Sequence, residues 1–237
     1  MGLLSVFGST LFQLSGVFML SPLMLVLLKE REVSTTVAGL FAATTWLGIF
    51  IVTPFASAIT RRWGQRKTMW FASAAPLLAA IGFLTTDALW LWFALELLAG
   101  VAGGLRWVLA EAFIAEFSPS DRLGRCIGIY ATMVGATFII GPTLLAWVGS
   151  EGPAALGLVI ALLGVGLVWT ALIPVVPPHA ESANARVARN VLLALVGTLA
   201  LTVSAVVFPH LCQLHGLRAC ALLRHWSRRG HEASEPS

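Results

Sequence analysis

Charged residues are scarce in this chain. Asp, Glu, Lys and Arg make up 11% of its 237 residues, whereas hydrophobic residues make up 58%. A soluble domain of this length covers its core with charged side chains, and this sequence has too few of them. We therefore expect lipid to surround most side chains. The net charge of +4 then reflects basic loops at a membrane and not a nucleic-acid partner.

Cysteine and histidine are also rare. Cys126, Cys212 and Cys220 have spacings that match no zinc or redox pattern. Four of the five histidines follow residue 208, and the apolar runs contain none. No His-Glu-x-x-His or Gly-x-Ser-x-Gly sequence is present to support a membrane-embedded enzyme. We predict no enzyme activity, no metal site and no cofactor.

Long apolar runs are what the sequence does contain. A membrane-spanning helix needs about 20 mostly apolar residues. Six such runs are predicted at about 3–28, 35–58, 69–86, 88–117, 126–149 and 154–173. The predicted organisation is an all-α polytopic membrane protein, with a six-helix N-terminal half (1–175), a cytoplasmic linker (176–189), a seventh transmembrane helix (190–208) and a basic tail (209–237).

The distribution of Lys and Arg predicts the orientation. Short loops rich in these residues stay on the cytoplasmic side. With a cytoplasmic N-terminus, the inner loops carry eight of them and the outer loops carry two, before the tail. We expect a multi-pass protein of the cell (inner) membrane whose N-terminus is cytoplasmic. The tail would lie outside, yet it carries four Arg. Three accounts are open: the seventh run does not cross, the tail is extracytoplasmic, or the reading frame has shifted near Phe208.

The densest group of cations lies between the second and third runs. The segment Ser57-Ala-Ile-Thr-Arg-Arg-Trp-Gly-Gln-Arg-Lys67 forms a predicted basic loop. It resembles the motif Gly-x-Leu-Ala-Asp-Arg-x-Gly-Arg-Lys/Arg-Lys/Arg between helices 2 and 3 of the major facilitator superfamily. The matching residues are Arg62, Gly64, Arg66 and Lys67. Arg61 stands where the family has an Asp that helps a charge network hold the two halves together, so that role is not carried over. A loop of this kind is also basic through topology alone.

Two further motifs carry the same resemblance. Glu96-Leu-Leu-Ala-Gly100-Val-Ala-Gly103-Gly104 is similar to the fourth-helix motif Arg-x-x-Gln-Gly-x-Gly-Ala-Gly, with Glu96 replacing the Arg. Gly141-Pro142 is similar to the core of the fifth-helix motif Gly-x-x-x-Gly-Pro-x-x-Gly-Gly. Independently of the family, small residues let helices approach closely in lipid. The resemblance covers about 1–208, which implies one six-helix half, a seventh helix and a missing C-terminal half.

The fourth run holds the main candidates for solute or coupling residues. Arg106 lies near mid-membrane, where a charge costs at least about 2.5–3.5 kcal/mol and needs a wet cavity or a partner. Glu111 points away from it, because five residues turn a helix by about 500°. Arg106 therefore meets a substrate anion or another polar group, with Gln13 as a candidate, and both alternatives are open. Glu111 is either a hydrated interfacial carboxylate or a proton-coupling group.

Three more residues of the apolar runs complete the expectations. Trp46 is a candidate for lining the pathway. Glu96 is expected near the outer face, where its carboxylate reaches water along its own side chain. Trp92 is expected to be an interface anchor, like Trp90.

The resemblance implies solute transport by alternating access, in which two six-helix halves rock about a midplane site. The expected partners are the lipid bilayer and a small solute, with proton coupling as an option, and no nucleic acid. The chain holds one half and a fragment, so we expect a truncated and inactive form, or one that works only with a second copy or a complementary half. The alternative is a membrane scaffold that moves no solute.

Overall fold

The computed structural model describes residues 2–119, 121–150 and 153–174. In these ranges the chain forms seven α-helices: α1 Gly2–Glu30, α2 Thr35–Val52, α3 Ala56–Trp63, α4 Gln65–Thr85, α5 Leu89–Phe117, α6 Leu123–Val148 and α7 Pro153–Ala171. A 3-10 turn over Thr53–Phe55 joins α2 to α3. The predicted linker, the seventh run and the tail lie outside the described residues, and the segment boundaries stay a prediction.

Six helical segments are long and apolar enough to cross a membrane. They are α1, the unit of α2 and α3 over Thr35–Trp63, α4, α5, α6 and α7. Pro22, Pro76 and Pro142 lie inside helices without ending them. No strand occurs among the described residues. The structure thus confirms the predicted all-α polytopic fold class.

The predicted basic loop is almost entirely helical. α3 ends at Trp63 and α4 begins at Gln65, so Gly64 is the single residue between them. Its φ of 84° lies in the left-handed region, which glycine adopts at little cost. The loop prediction was wrong because polarity does not stop a helix, and Arg, Ala and Gln are good helix formers. The four cations are therefore placed at two helix ends.

The helices pack in an order that leaves α2 and α6 at the sides. α1 packs along α6 and α7, α5 packs along α2 and α4, and α4 also packs along α7. α2 and α6 each contact mainly one neighbour, so a large part of each apolar surface faces outwards. α4 and α7 therefore connect the side formed by α2 and α5 to the side formed by α1 and α6.

Glycines set the closest helix contacts. A Cβ atom on Gly100 would lie 2.2 Å from the Thr45 carbonyl oxygen of α2, and one on Gly104 would lie 2.5 Å from Val52. On α6, a Cβ on Gly141 would lie 2.6 Å from the backbone of Phe18 in α1. The nearest atom to such a Cβ on Gly103 is 4.0 Å away. Gly100, Gly104 and Gly141 thus allow close backbone approach, whereas Gly103 does not take part.

The interior consists of two apolar clusters with polar side chains between them. One cluster contains Met19, Ala79 and Leu163, and the other contains Val6, Met69 and Leu109. Along α1, α4, α5 and α7, a set of buried polar residues falls between the two clusters. This set, called the polar layer below, consists of Ser9, Gln13, Ser73, Arg106 and Thr170.

One end of the bundle is tied by a charged contact. Arg31, after α1, forms an ion pair with Asp87, before α5, and donates a hydrogen bond of 3.1 Å to its carbonyl oxygen. The Arg31 guanidinium also lies 4.3 Å from the ring centroid of Trp92. Trp92 is 2% exposed and donates to the Thr86 carbonyl oxygen. Trp92 is therefore not the exposed interface anchor that was expected, because its ring packs on Phe83 within the core as well as on Arg31.

Candidate functional site

Arg106 lies in the polar layer and is 4% exposed. Its Nη1 donates to Ser73 Oγ at 2.6 Å and its Nη2 donates to Ser9 Oγ at 2.7 Å. These contacts join α5 to α4 and α1. A hydrogen bond to a charged group contributes about 1.5–3 kcal/mol, so the two together stabilise the charge where lipid and apolar side chains would not.

The layer continues into α7. Thr170 Oγ1 lies 2.6 Å from Ser9 Oγ and 3.0 Å from Ser73 Oγ. Gln13 Nε2 donates to the carbonyl oxygens of Ser73 and Leu163, at 3.2 and 3.0 Å. Gln13 thus belongs to the layer but is not the partner of Arg106. The shorter Ser9, one turn earlier on the same face of α1, takes that position.

Hydroxyl groups, not a carboxylate, surround the guanidinium. Among the described residues the ion pairs are Arg31–Asp87 and Arg122–Asp121, both remote from this layer. Arg106 Nε, Thr10 Oγ1 and Gln13 Oε1 are buried without a hydrogen-bond partner. Packing on all sides therefore closes the guanidinium off, and it presents no nitrogen to a solute in this conformation.

Glu111 has a different environment, although it lies on the same helix. Trp107, one turn earlier, donates from Nε1 to Glu111 Oε1 at 2.9 Å. Both side chains are half-buried. No described residue donates a hydrogen bond to the second oxygen, Oε2, and this atom is not sealed from solvent. Glu111 therefore has one carboxylate oxygen fixed by the indole and one open.

Tyr130 of α6 interacts with both charged residues. Its hydroxyl is within electrostatic range of both Arg106 and Glu111. Its ring stacks on Phe7 of α1, with 6.3 Å between the ring centroids. The Tyr130 side chain is buried.

Glu96 is buried, contrary to the expectation that it reaches water. It is 8% exposed, and the Thr45 hydroxyl of α2 donates to its Oε1. Gly100 lies one turn further along α5 and brings α2 over this side chain. The expectation failed because it treated α5 as an isolated helix and not as one half of a close contact.

The other predicted site residues lie apart from this region. Trp46 is half-buried on α2, and Arg62, Gly64, Arg66 and Lys67 are exposed at the corner between α3 and α4. Pro142 is exposed on α6. An open groove of about 580 Å³ on α6 is lined by Arg125, Gly128, Ile129, Thr132, Met133 and Ala136, none of them a predicted site residue. In the described ranges, no group of His, Cys, Asp and Glu residues could hold a metal ion.

Comparison with known proteins decides the family. The family model of the Major Facilitator Superfamily matches residues 6–224. The chain belongs to the major facilitator superfamily. This membership confirms the resemblance seen in its motifs and the prediction that it is not an enzyme, because the superfamily is one of transporters. The match includes all six long helices.

Individual relatives agree with this assignment. The uncharacterized MFS-type transporter YfkF of Bacillus subtilis is 25% identical over 124 residues, which is 52% of this chain and 32% of the relative. An uncharacterized MFS-type transporter of Yersinia pestis is 26% identical over 73% of this chain and 44% of its own length. The putative metabolite transport protein YfiG of B. subtilis is 28% identical over 70% of this chain and 36% of its own length. The chain thus spans less than half the length of these relatives.

Proposed function

We propose that the described helices form one wall of a pathway that carries a small solute across the membrane by alternating access. The observation that carries this proposal is an open carboxylate, Glu111, inside a six-helix bundle of a transporter family. Ionisable residues at membrane depth are costly and mark solute or ion paths. The bundle offers Glu111 as such a group, whereas the buried Arg106 is held by Ser9 and Ser73.

Different roles follow for the predicted site residues. We assign Glu111 to solute binding or proton coupling and Trp46 to the wall of the pathway. Arg106 and Gln13 act as positioning residues, because their hydrogen bonds join α1, α4, α5 and α7. Gly64 supplies the sharp corner that separates the cationic ends of α3 and α4, where Arg62, Arg66 and Lys67 meet the membrane surface.

A second bundle is needed to complete the pathway. In alternating access the solute site lies between two halves that move against each other. α2 and α6 flank the described bundle and expose much of their apolar surface. We propose that α2 and α6 face a second six-helix unit, either a second copy of the chain or a complementary half. Crosslinking and mass measurement of the chain in native membranes distinguish these two.

The proposed location is the cell membrane, with the N-terminus in the cytoplasm. The support is the concentration of cations at the α3–α4 corner and before α6, which the topology puts on the same side. Single cysteines at Arg66 and Asp87, in a chain without other cysteines, test it with an impermeant thiol reagent on intact cells. Labelling at position 87 only is expected. Labelling at position 66 only contradicts this orientation.

Transport itself is tested with the full 237-residue chain in proteoliposomes. Cationic, neutral and anionic solutes are added in turn, and charge movement and tracer uptake are recorded. A saturable flux of at least one solute, reduced in Glu111→Gln and unchanged in Glu116→Gln, is expected. Glu116 is the matched control because it is an exposed acid on the same helix. A folded chain that moves no solute under any gradient supports a scaffold role instead.

A further inference from the structure

The charged residues at membrane depth differ in accessibility, and the accessible ones indicate which class of solute can bind. Among the described spans, only α5 carries Asp, Glu, Lys or Arg away from the helix ends, namely Glu96, Arg106 and Glu111. Thr45 and the glycine contact of α2 cover Glu96. Ser9 and Ser73 occupy both terminal nitrogens of Arg106. Glu111 is the most accessible of the three, because it is half-buried whereas Glu96 and Arg106 are 8% and 4% exposed. One of its oxygens accepts no hydrogen bond from a described residue.

The position of Trp107 adds a second recognition element. Its indole N–H is already engaged by Glu111 Oε1, which fixes the ring beside the carboxylate. The N–H bond lies in the ring plane, so the carboxylate sits at the edge of the indole, and the negative charge and the adjacent π-face both attract a cation. An anion is repelled by the same carboxylate, and a neutral solute gains nothing from it. Tyr130, whose ring stacks on Phe7, lies within electrostatic range of Glu111.

We infer that Glu111 and Trp107 form the binding site for a monovalent organic cation with an apolar or aromatic body. The single open carboxylate oxygen matches one positive charge, such as a protonated amine or a quaternary centre. Trp107 contacts the apolar part of the cation or the charge itself. Arg106 does not bind the solute, so an anionic substrate is not expected. This inference rests on the proposed function, since it names the solute class of the same site.

Two ions of matched shape test the sign of the charge. The full chain is placed in phosphatidylcholine nanodiscs, and the binding of tetraphenylphosphonium and tetraphenylborate is measured by equilibrium dialysis, with empty discs as the blank. We expect saturable binding of tetraphenylphosphonium above the blank and none of tetraphenylborate. In Glu111→Gln the cation affinity is expected to fall by about tenfold or more, while Glu116→Gln binds like the parent chain. Equal binding of both ions, no binding of the cation, or an unaltered Glu111→Gln overturns the inference.

Chemical protection provides a second measurement that needs no variant. Dicyclohexylcarbodiimide modifies carboxyl groups in apolar surroundings, and mass spectrometry of the α5 peptides reports modification at Glu96 and Glu111 separately. Tetraphenylphosphonium is expected to protect Glu111 and not Glu96, and tetraphenylborate to protect neither. Modification of Glu111 that the cation leaves unchanged contradicts a cation site there.

The inference and the transport proposal fail in distinguishable ways. Binding of tetraphenylphosphonium that depends on Glu111, without flux of any solute in proteoliposomes, supports the cation site and removes the transport function. Flux of an anionic or neutral solute that Glu111→Gln leaves unchanged supports transport and overturns the cation site.

Discussion

Arg106 and Glu111 lie five residues apart on α5, but their surroundings differ in kind. The guanidinium of Arg106 is enclosed by hydroxyl groups from α1 and α4, whereas the carboxylate of Glu111 is held by one indole and keeps an open oxygen. A helix places residues at this separation on different sides, so one helix can provide a packing residue and an accessible residue less than two turns apart. A charge at membrane depth therefore has no single meaning: its partners decide whether it holds the bundle or meets a solute.

Substitutions around the enclosed Arg106 should lower the stability of the bundle more than a substitution of Glu111. In Ser9→Ala with Ser73→Ala, Arg106 stays charged but loses both partners of its terminal nitrogens. Each hydrogen bond to a charged group contributes about 1.5–3 kcal/mol, so the double variant should lose about 3–6 kcal/mol of stability. Thermal unfolding of the purified chain in detergent, monitored by size-exclusion chromatography, measures the loss.

A third substitution sharpens that prediction. Adding Arg106→Met to the double variant removes the unpaired charge, and replacing both sides of a buried polar contact is close to neutral. The triple variant should therefore be more stable than the double. If the two unfold at the same temperature, the serines do not act through Arg106.

The close contact between α2 and α5 can be tested by adding a methyl group at two glycines of α5. Gly100→Ala puts a Cβ atom 2.2 Å from the Thr45 carbonyl oxygen, so the backbones must separate. Overpacking of this kind costs about 1–3 kcal/mol. Gly103→Ala is the matched control, since its Cβ meets nothing closer than 4.0 Å. Thermal unfolding of both variants should show a loss for Gly100→Ala only, and equal losses contradict the described contact.

These contrasts show what the sequence could and could not predict. Hydropathy located all six spans, because lipid requires about 20 apolar residues in each. Hydropathy predicted a loop where α3 lies. A polar segment without proline can remain helical, and this one does so up to Gly64. Gly100 was identified as a packing residue, but which glycines of its motif touch α2 depends on the rotation of α5, which the sequence does not contain.

The site itself was only partly predictable. Ser9, Ser73 and Thr170 carry no sequence signal, because small hydroxyl residues are common in spans and these three meet only through the register of α1, α4 and α7. Gln13, a candidate partner of Arg106, instead donates to the carbonyl oxygens of Ser73 and Leu163. The bond between Trp107 and Glu111 did have a signal that was missed: residues at i and i+4 on a helix are neighbours.

The contact of Arg31 with Asp87 and Trp92 at the end of the bundle should have an intermediate effect on stability, smaller than that of Gly100→Ala and larger than that of Glu111→Gln. Arg31→Gln removes the ion pair with Asp87 and the contact with the Trp92 ring. The Asp87 side chain is 91% exposed, so the loss should be about 1 kcal/mol, most of it from the cation–π contact. Arg122→Gln is the control, because its pair with Asp121 has no aromatic partner and should matter less. Thermal unfolding at low and high salt measures both, and a larger loss for Arg122→Gln contradicts this account.

The smallest effect on stability is expected where the solute site is proposed. Glu111→Gln keeps a side-chain oxygen for the Trp107 indole and removes a charge that has no other partner in the described structure. The weaker hydrogen bond and the lower cost of burying a neutral group offset each other, so the change should stay within about 0.5 kcal/mol. Thermal unfolding beside the Ser9 and Ser73 double variant measures this directly. A loss comparable to that of the double variant would mean that Glu111 holds the bundle as Arg106 does. If the unfolding temperature of Glu111→Gln is unchanged and its cation binding is impaired, the two residues differ in function. Glu111 then binds the cation without contributing to stability, whereas Arg106 contributes to stability.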